Sequence, residues 1–247
     1  MLHKAHSLTF GFNLQPIGRP DFEHSFYVYE GESLAERIDY ISVFRLGDET
    51  RANLFTFADH HGARAAAFRT CPTQALRDAL PGLARVIGEY CVSGPVVARP
   101  MDLYVTEGYR QPGVVLIGDA FQTACPAAGA GIARALIDVE RLCCVHIPQW
   151  LQANRTDRTM IEQFYDDPVK MSSDAKALHD SRYRRLHATQ PGFSWALHRQ
   201  QVHLRRRVHG WALRQKLALR TMRERVAAPS ADAGDELASG EGVAAQR

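Results

Sequence analysis

The residues best placed to do chemistry are Gly118, Asp119, Pro126, Gly129, Ala130, Gly131 and Ile132. They lie between an apolar run, Val114-Val115-Leu116-Ile117, and a helical pattern that leads through Leu136 to Asp138. The run is short, mostly β-branched and free of polar residues, as a strand covered on both faces would be. Gly118-Asp119 then sets a carboxylate at its C-terminal end, where open α/β sheets place their ligands. Pro126 and the two glycines open a helix whose first amides lack an intrahelical acceptor and whose dipole is positive at that end. Such a start favours an electron-rich or anionic group. A buried strand and a glycine-entered helix of some other α/β domain would carry the same letters.

With these residues the chain resembles the FAD-dependent aromatic-hydroxylase-like monooxygenases. Their second flavin motif runs Gly-Asp-Ala, then usually His, then Pro, Gly-x-Gly, Asn and a later Asp. The matching residues are Gly118, Asp119, Ala120, Pro126, Gly129, Gly131, Ala135, Leu136 and Asp138, with Gln122 where His is common and Ala133 where Asn is common. Gln keeps hydrogen-bonding capacity at its position and Ala does not. The resemblance implies FAD as cofactor, with Asp119 on the ribityl chain and the helix start from Gly129 to Ile132 facing the pyrimidine edge of the isoalloxazine. It also implies NAD(P)H as reductant, followed by oxygen activation or direct oxidation of a substrate. The cofactor would carry the redox chemistry, and the amides from Gly129 to Ile132 would stabilise its negative charge.

The family binds the ADP half of FAD through an N-terminal Gly-x-Gly-x-x-Gly turn, because only glycine lets backbone approach the pyrophosphate. No such turn occurs here; the chain opens Met1-Leu-His-Lys-Ala-His and enters a sheet pattern almost at once. The expectation is a C-terminal portion of the fold, either truncated or completed by a separate N-terminal FAD-domain polypeptide.

The elements that must position the motif follow from periodicity. Leu8, Phe10, Phe12 and Leu14 alternate with Thr9, Gly11 and Asn13, the signature of a strand with one buried face. Residues 25–29, 37–46 and 51–57 continue an antiparallel meander, and Leu46-Gly47-Asp48-Glu49-Thr50 between Arg45 and Arg51 fits a hairpin. A short helix is expected over 72–80, capped by Thr70, opened by Pro72 and ended by Pro81-Gly82. Residues 96–105 return as an extended segment, and its Arg99, Asp102 and Tyr104 are candidates to line a substrate pocket; a Pro-containing edge strand with a surface Arg–Asp pair explains them equally. A helix over 133–145 follows the motif. Met160, Ile161, Phe164, Val169 and Met171 form an imperfect apolar stripe, broken or restarted at Pro168. Asp166-Asp167 lacks a third ligand at metal spacing and reads as capping or solvated carboxylates, so no metal is expected.

The fold class expected is therefore α+β with an α/β part, a partial FAD-dependent monooxygenase fold. Its antiparallel substrate-domain sheet would span residues 1–112, the last strand and helix of the FAD domain 113–152, C-terminal helices 153–226 and a disordered tail 227–247. At 247 residues and with an apolar fraction of 45%, the chain has the composition of a globular protein. Neither a membrane span nor a signal peptide is visible, which points to the cytoplasm. The five cysteines show no metal or disulfide spacing; Cys143 and Cys144 are expected to be buried thiols, and Cys125 a small buried hydrophobe rather than a reactive group.

Residues 198–226 read as a basic amphipathic helix that packs on the body, with nucleic acid not expected as a partner. Three functions remain open: an oxidoreductase, read as an NAD(P)H-using monooxygenase of a small apolar or aromatic substrate; a non-catalytic remnant or complementing subunit; and a membrane- or nucleic-acid-associated protein acting through the basic helix. No catalytic residue is assigned, because nothing resembles a nucleophile elbow.

Overall fold

The alternation that begins near Leu8 extends over a long strand, β1 (His3–Pro16), in a computed structural model that describes residues 1–205 and 208. β2 (Phe26–Glu30), β3 (Ile38–Leu46), β4 (Glu49–Thr56) and β5 (Tyr90–Leu103) complete a five-stranded antiparallel sheet of order β2-β3-β4-β1-β5. The β3–β4 hairpin closes where expected, with Leu46 opposite Glu49 and Gly47 at φ +61°. The meander is confined to β2, β3 and β4. β1 lies between β4 and β5, so the first strand and the returning segment pair with each other. Near its start β1 bulges at Ala5, whose φ of 47° is left-handed and whose amide donates to Asp102 Oδ1 at 2.6 Å.

One face of the sheet carries Leu8, Phe10, Phe12, Leu14, Ile41, Val43, Ala52 and Leu54, all buried. Three short helices cover it: α1 (Ala63–Thr70), α2 (Pro72–Ala79) and α3 (Leu83–Ile87), which contribute Phe68, Leu76, Leu83 and Ile87 to the same core. The single helix expected here is thus one of three. α2 opens on Pro72 as its φ and missing N–H favour. Thr70 does not cap it: Cys71 holds the cap position, and the Thr70 hydroxyl donates back to the Ala66 carbonyl at 3.1 Å.

Beyond β5, Val115–Ile117 are extended and half-buried but belong to no ladder, and Val114 has only an isolated bridge to Gln111. The expected burial on both faces is absent: Val114 is exposed, Val115–Ile117 are only half-buried, and none of the described residues forms a ladder with Val115–Ile117. Instead the Leu116 amide donates to the Tyr165 hydroxyl at 2.8 Å, and that hydroxyl lies 3.3 Å from the Leu116 carbonyl. The motif helix is α4 (Gly131–Arg141), followed by a π-helical turn at Leu142–His146 and by α5 (Ile147–Ala153). Cys143 and Cys144 are exposed on that turn rather than buried; Cys125 is buried.

α6 (Arg158–Tyr165) and α7 (Pro168–Thr189) complete this unit, which runs from Met1 to Gly192. Met160, Ile161 and Phe164 are buried, but Val169 and Met171 point outward and Lys170 is the buried residue between them. Pro168 restarts the helix behind Asp167, whose Oδ1 accepts from the amides of Val169 and Lys170 at 2.9 and 3.3 Å. In the second unit residues 193–205 are helical. Most of the basic helix expected over 198–226, and all of the tail 227–247, lie outside the described residues.

Burial works against the Asp167 carboxylate, but hydrogen bonds from Arg141 and His146, with the Lys170 and Val169 amides, outweigh it and hold the group down at about 2. A depressed carboxyl stabilises the fold above its unfolded value and loses that contribution as pH falls from 3.8 towards 2. Asp167→Ala is therefore expected to cost about 1–3 kcal/mol near pH 7. The deficit, measured by thermal melts across pH, should shrink below the ordinary carboxylate range.

Candidate functional site

Gly118 sits at φ +55° and begins a 3₁₀ turn (Gly118–Ala120), a conformation that glycine adopts without strain. Its amide donates to Asp138 Oδ2 at 2.9 Å, so the last residue of the motif fastens the first. The turn leaves the Asp119 side chain 63% exposed. A second 3₁₀ turn, Pro126–Ala128, ends at Gly129 with φ +66°. Ala130 caps α4 in the helical region, and the first amide bonded within the helix is that of Arg134, to the Ala130 carbonyl at 3.0 Å. The amides of Gly131, Ile132 and Ala133 therefore have no intrahelical acceptor. A Cβ built on Gly129 or on Gly131 would meet no protein atom within 4 Å. The helix start is thus unobstructed by the protein, and Ile132 is 80% exposed beside it.

Beneath this surface lies a closed set of charges with little trace in the sequence. Lys170 is 0% exposed, and its Nζ stands 2.9 Å from Asp138 Oδ1 and 3.0 Å from Asp174 Oδ2. The Phe121 ring centroid lies 4.2 Å from the same nitrogen, with the rings of Phe164 and Tyr165 at 5.2 and 5.7 Å. Arg134, on the inner side of α4, reaches Asp174 Oδ1 at 3.3 Å and Asp119 Oδ1 at 3.1 Å, and donates to the Gln122 carbonyl. The Gln122 side chain faces inward and donates to the Asp174 carbonyl at 2.9 Å. The i, i+4 spacing of Lys170 and Asp174 and of Arg134 and Asp138 is the one available signal, though such spacing usually marks a solvated helix face.

The pocket candidates separate. The Tyr104 hydroxyl donates to the Asp119 carbonyl at 3.2 Å, so Tyr104 joins the motif. Asp102 is taken up by the Ala5 amide at the bulge, and Arg99 is exposed on β5. On the sheet face opposite the three helices, Tyr40, Phe55, Thr9 and Arg99 form one cross-strand row, followed by Ser42, Asn53, Gly11 and Val97. The first row adjoins the motif: the Tyr40 and Phe55 rings lie 4.6 Å apart, and the Tyr40 hydroxyl donates to the Ala127 carbonyl at 3.3 Å. Arg184 of α7 stacks 4.9 Å over Tyr40 and pairs with Asp39 at 2.8 Å; burial pushes the Asp39 carboxyl up to about 7, against the pull of that arginine. Burial likewise raises the Cys125 thiol, which keeps it protonated and unreactive.

No protein-family model and no curated protein matches the sequence. Among solved structures the chain is similar to p-nitrophenol 4-monooxygenase PnpA from Pseudomonas putida DLL-E4, at 15% identity and TM-score 0.53 over 79% of this chain and 47% of that one. It is also similar to a single-residue mutant of the halogenase PltM in complex with FAD, at 10% identity and TM-score 0.51 over 76% of this chain and 39% of that one. The chain spans less than half of either protein. These likenesses establish the fold: an α+β arrangement with a five-stranded antiparallel sheet, corresponding to part of the FAD-dependent monooxygenase fold.

Removing Lys170 would leave two carboxylates without their shared cation. Lys170→Ala is expected to cost about 3–5 kcal/mol. Asp119→Ala, at an exposed carboxylate, should change stability by less than about 1 kcal/mol. Urea denaturation of the two variants separates them; equal losses would mean that the buried cluster does not hold the turn.

Proposed function

We propose that the chain forms the isoalloxazine-facing part of an FAD-dependent oxidoreductase, an NAD(P)H-using monooxygenase of a small apolar or aromatic substrate. The observation that carries this reading is the pairing of an exposed Asp119 carboxylate with a helix start at Gly131 whose flanking glycines leave its amides open. These residues fit a flavin: Asp119 can accept from ribityl hydroxyls, and the amides of Gly131 and Ile132 can meet the electron-rich pyrimidine edge. When bound, the flavin would supply the redox chemistry. The row of Tyr40, Phe55, Thr9 and Arg99, partly covered at its Tyr40 end by Arg184 and Ala127, offers the substrate an aromatic wall with a hydroxyl and a cation at its far end.

The test is FAD titration of the purified chain, read as flavin absorbance retained per polypeptide after gel filtration. Retention by the wild type, with affinity about tenfold weaker in Asp119→Ala and unchanged thermal stability, supports the reading. A folded, monodisperse sample that retains no flavin overturns autonomous cofactor binding.

One feature favours a second reading, that the chain is a complementing subunit which works with a separate FAD-domain polypeptide. Along α4, Ile132, Leu136 and Val139 are 80, 63 and 41% exposed at i, i+4 and i+7, a stripe with the spacing of a packed helix face. Without such a partner the stripe should drive self-association. Sedimentation velocity is expected to show association of the wild type and a monomer for Leu136→Glu; a wild type that stays monomeric at high concentration argues against this reading.

A further inference from the structure

We infer that Arg134 is a positioning residue: anchored from below, it fixes Asp119 Oδ1 and so leaves Oδ2 aimed to accept a ligand hydroxyl. The inference rests on the flavin reading of the site and assigns a role to a residue that lies within the motif stretch but is not among its matched positions.

Arg134 is 1% exposed, yet its guanidinium reaches a carboxylate that is 63% exposed. Its other contacts are all inside: Nη1 lies 3.3 Å from Asp174 Oδ1, and Nη2, besides meeting Asp119 Oδ1 at 3.1 Å, donates to the Gln122 carbonyl. Asp174 is held in turn by Lys170, through its second oxygen at 3.0 Å. The arginine therefore has no freedom to follow Asp119; Asp119 must follow it. The buried Nε has no acceptor, a desolvation cost accepted in placing the terminal nitrogens on their three oxygens.

The stability gained by pairing a buried arginine with an exposed aspartate is small, since water competes for the carboxylate. What the pair does supply is order. A free Asp119 would sample several rotamers and would lose that freedom on binding; a planar guanidinium, rigid because of its own fixed contacts, removes the loss beforehand. Tyr104 completes the arrangement by holding the backbone of the same residue, its hydroxyl on the Asp119 carbonyl at 3.2 Å. The carboxylate is thus set from two directions, and Oδ2 remains for the ligand.

The experiment compares riboflavin with lumiflavin, which has the same ring system but no ribityl hydroxyls, by fluorescence titration of the full chain. Arg134→Met is expected to weaken riboflavin about tenfold and to leave lumiflavin unchanged. Adding Arg134→Met to Asp119→Ala should weaken riboflavin no further. Arg134→Lys, which keeps the buried charge but not the planar fork, should reproduce part of the loss and serves if Arg134→Met fails to fold. Equal weakening of both flavins would show a merely structural role and overturn the inference. So would unchanged riboflavin binding in Arg134→Met when the wild type binds. A wild type that binds neither flavin instead removes the flavin reading itself.

Discussion

The fully buried ammonium of Lys170, shared between Asp138 and Asp174, is the interaction on which the rest of the site depends. An isolated charge at that depth would be untenable, so the three groups must arrive together. Their meeting ties α4 to α7 and, through the second oxygen of Asp138, fixes the amide of Gly118. The exposed turn above is therefore set from inside the protein. Its surface residues need contribute nothing to stability and are free to serve a ligand.

The same division runs through the sheet. One face is given over to a core that α1, α2 and α3 cover, and it carries the large apolar side chains of β1. The opposite face keeps Thr9, Gly11 and Asn13, small or polar, with Tyr40 and Phe55 at the end that touches Ala127 and Phe44 and Phe26 at the other. A sheet with one apolar and one mixed face can act as a wall for a small molecule without losing its own packing. α7 braces that wall through Arg184, which lies over Tyr40 while pairing with Asp39, so a single helix supports both the motif turn and the sheet.

Much of this is legible in the sequence wherever a local rule decides the outcome. The β3–β4 hairpin follows from Gly47 between two β-rich runs, α2 from Pro72, the restart at α7 from Pro168 behind a capping Asp167, and the motif loop from its glycines. What stays hidden depends on distant partners. Lys170 looks like a gap in an apolar stripe, and only its meeting with Asp138 makes it a core residue. Val115 to Ile117 have the composition of a buried strand, but strands are made by neighbours, and here a tyrosine hydroxyl takes the backbone bonds of Leu116. α1 and α3 escape a reading by periodicity because helices this short carry little periodic signal. The exposed cysteines at Leu142–His146 fall on a π-helical turn, where the usual face assignment of a helix no longer applies.

The position of the buried cation along the chain has a consequence for biogenesis. Asp138 and Lys170 are separated by 32 residues, and the lysine belongs to the last helix of its unit. During synthesis the motif turn leaves the ribosome first, with Asp138 uncompensated, and has no settled interior until α7 follows. The sheet can form from the nascent chain well before that. The exposed turn thus cannot gain its buried counter-charge until the chain through α7 has been made, later than every strand of the sheet.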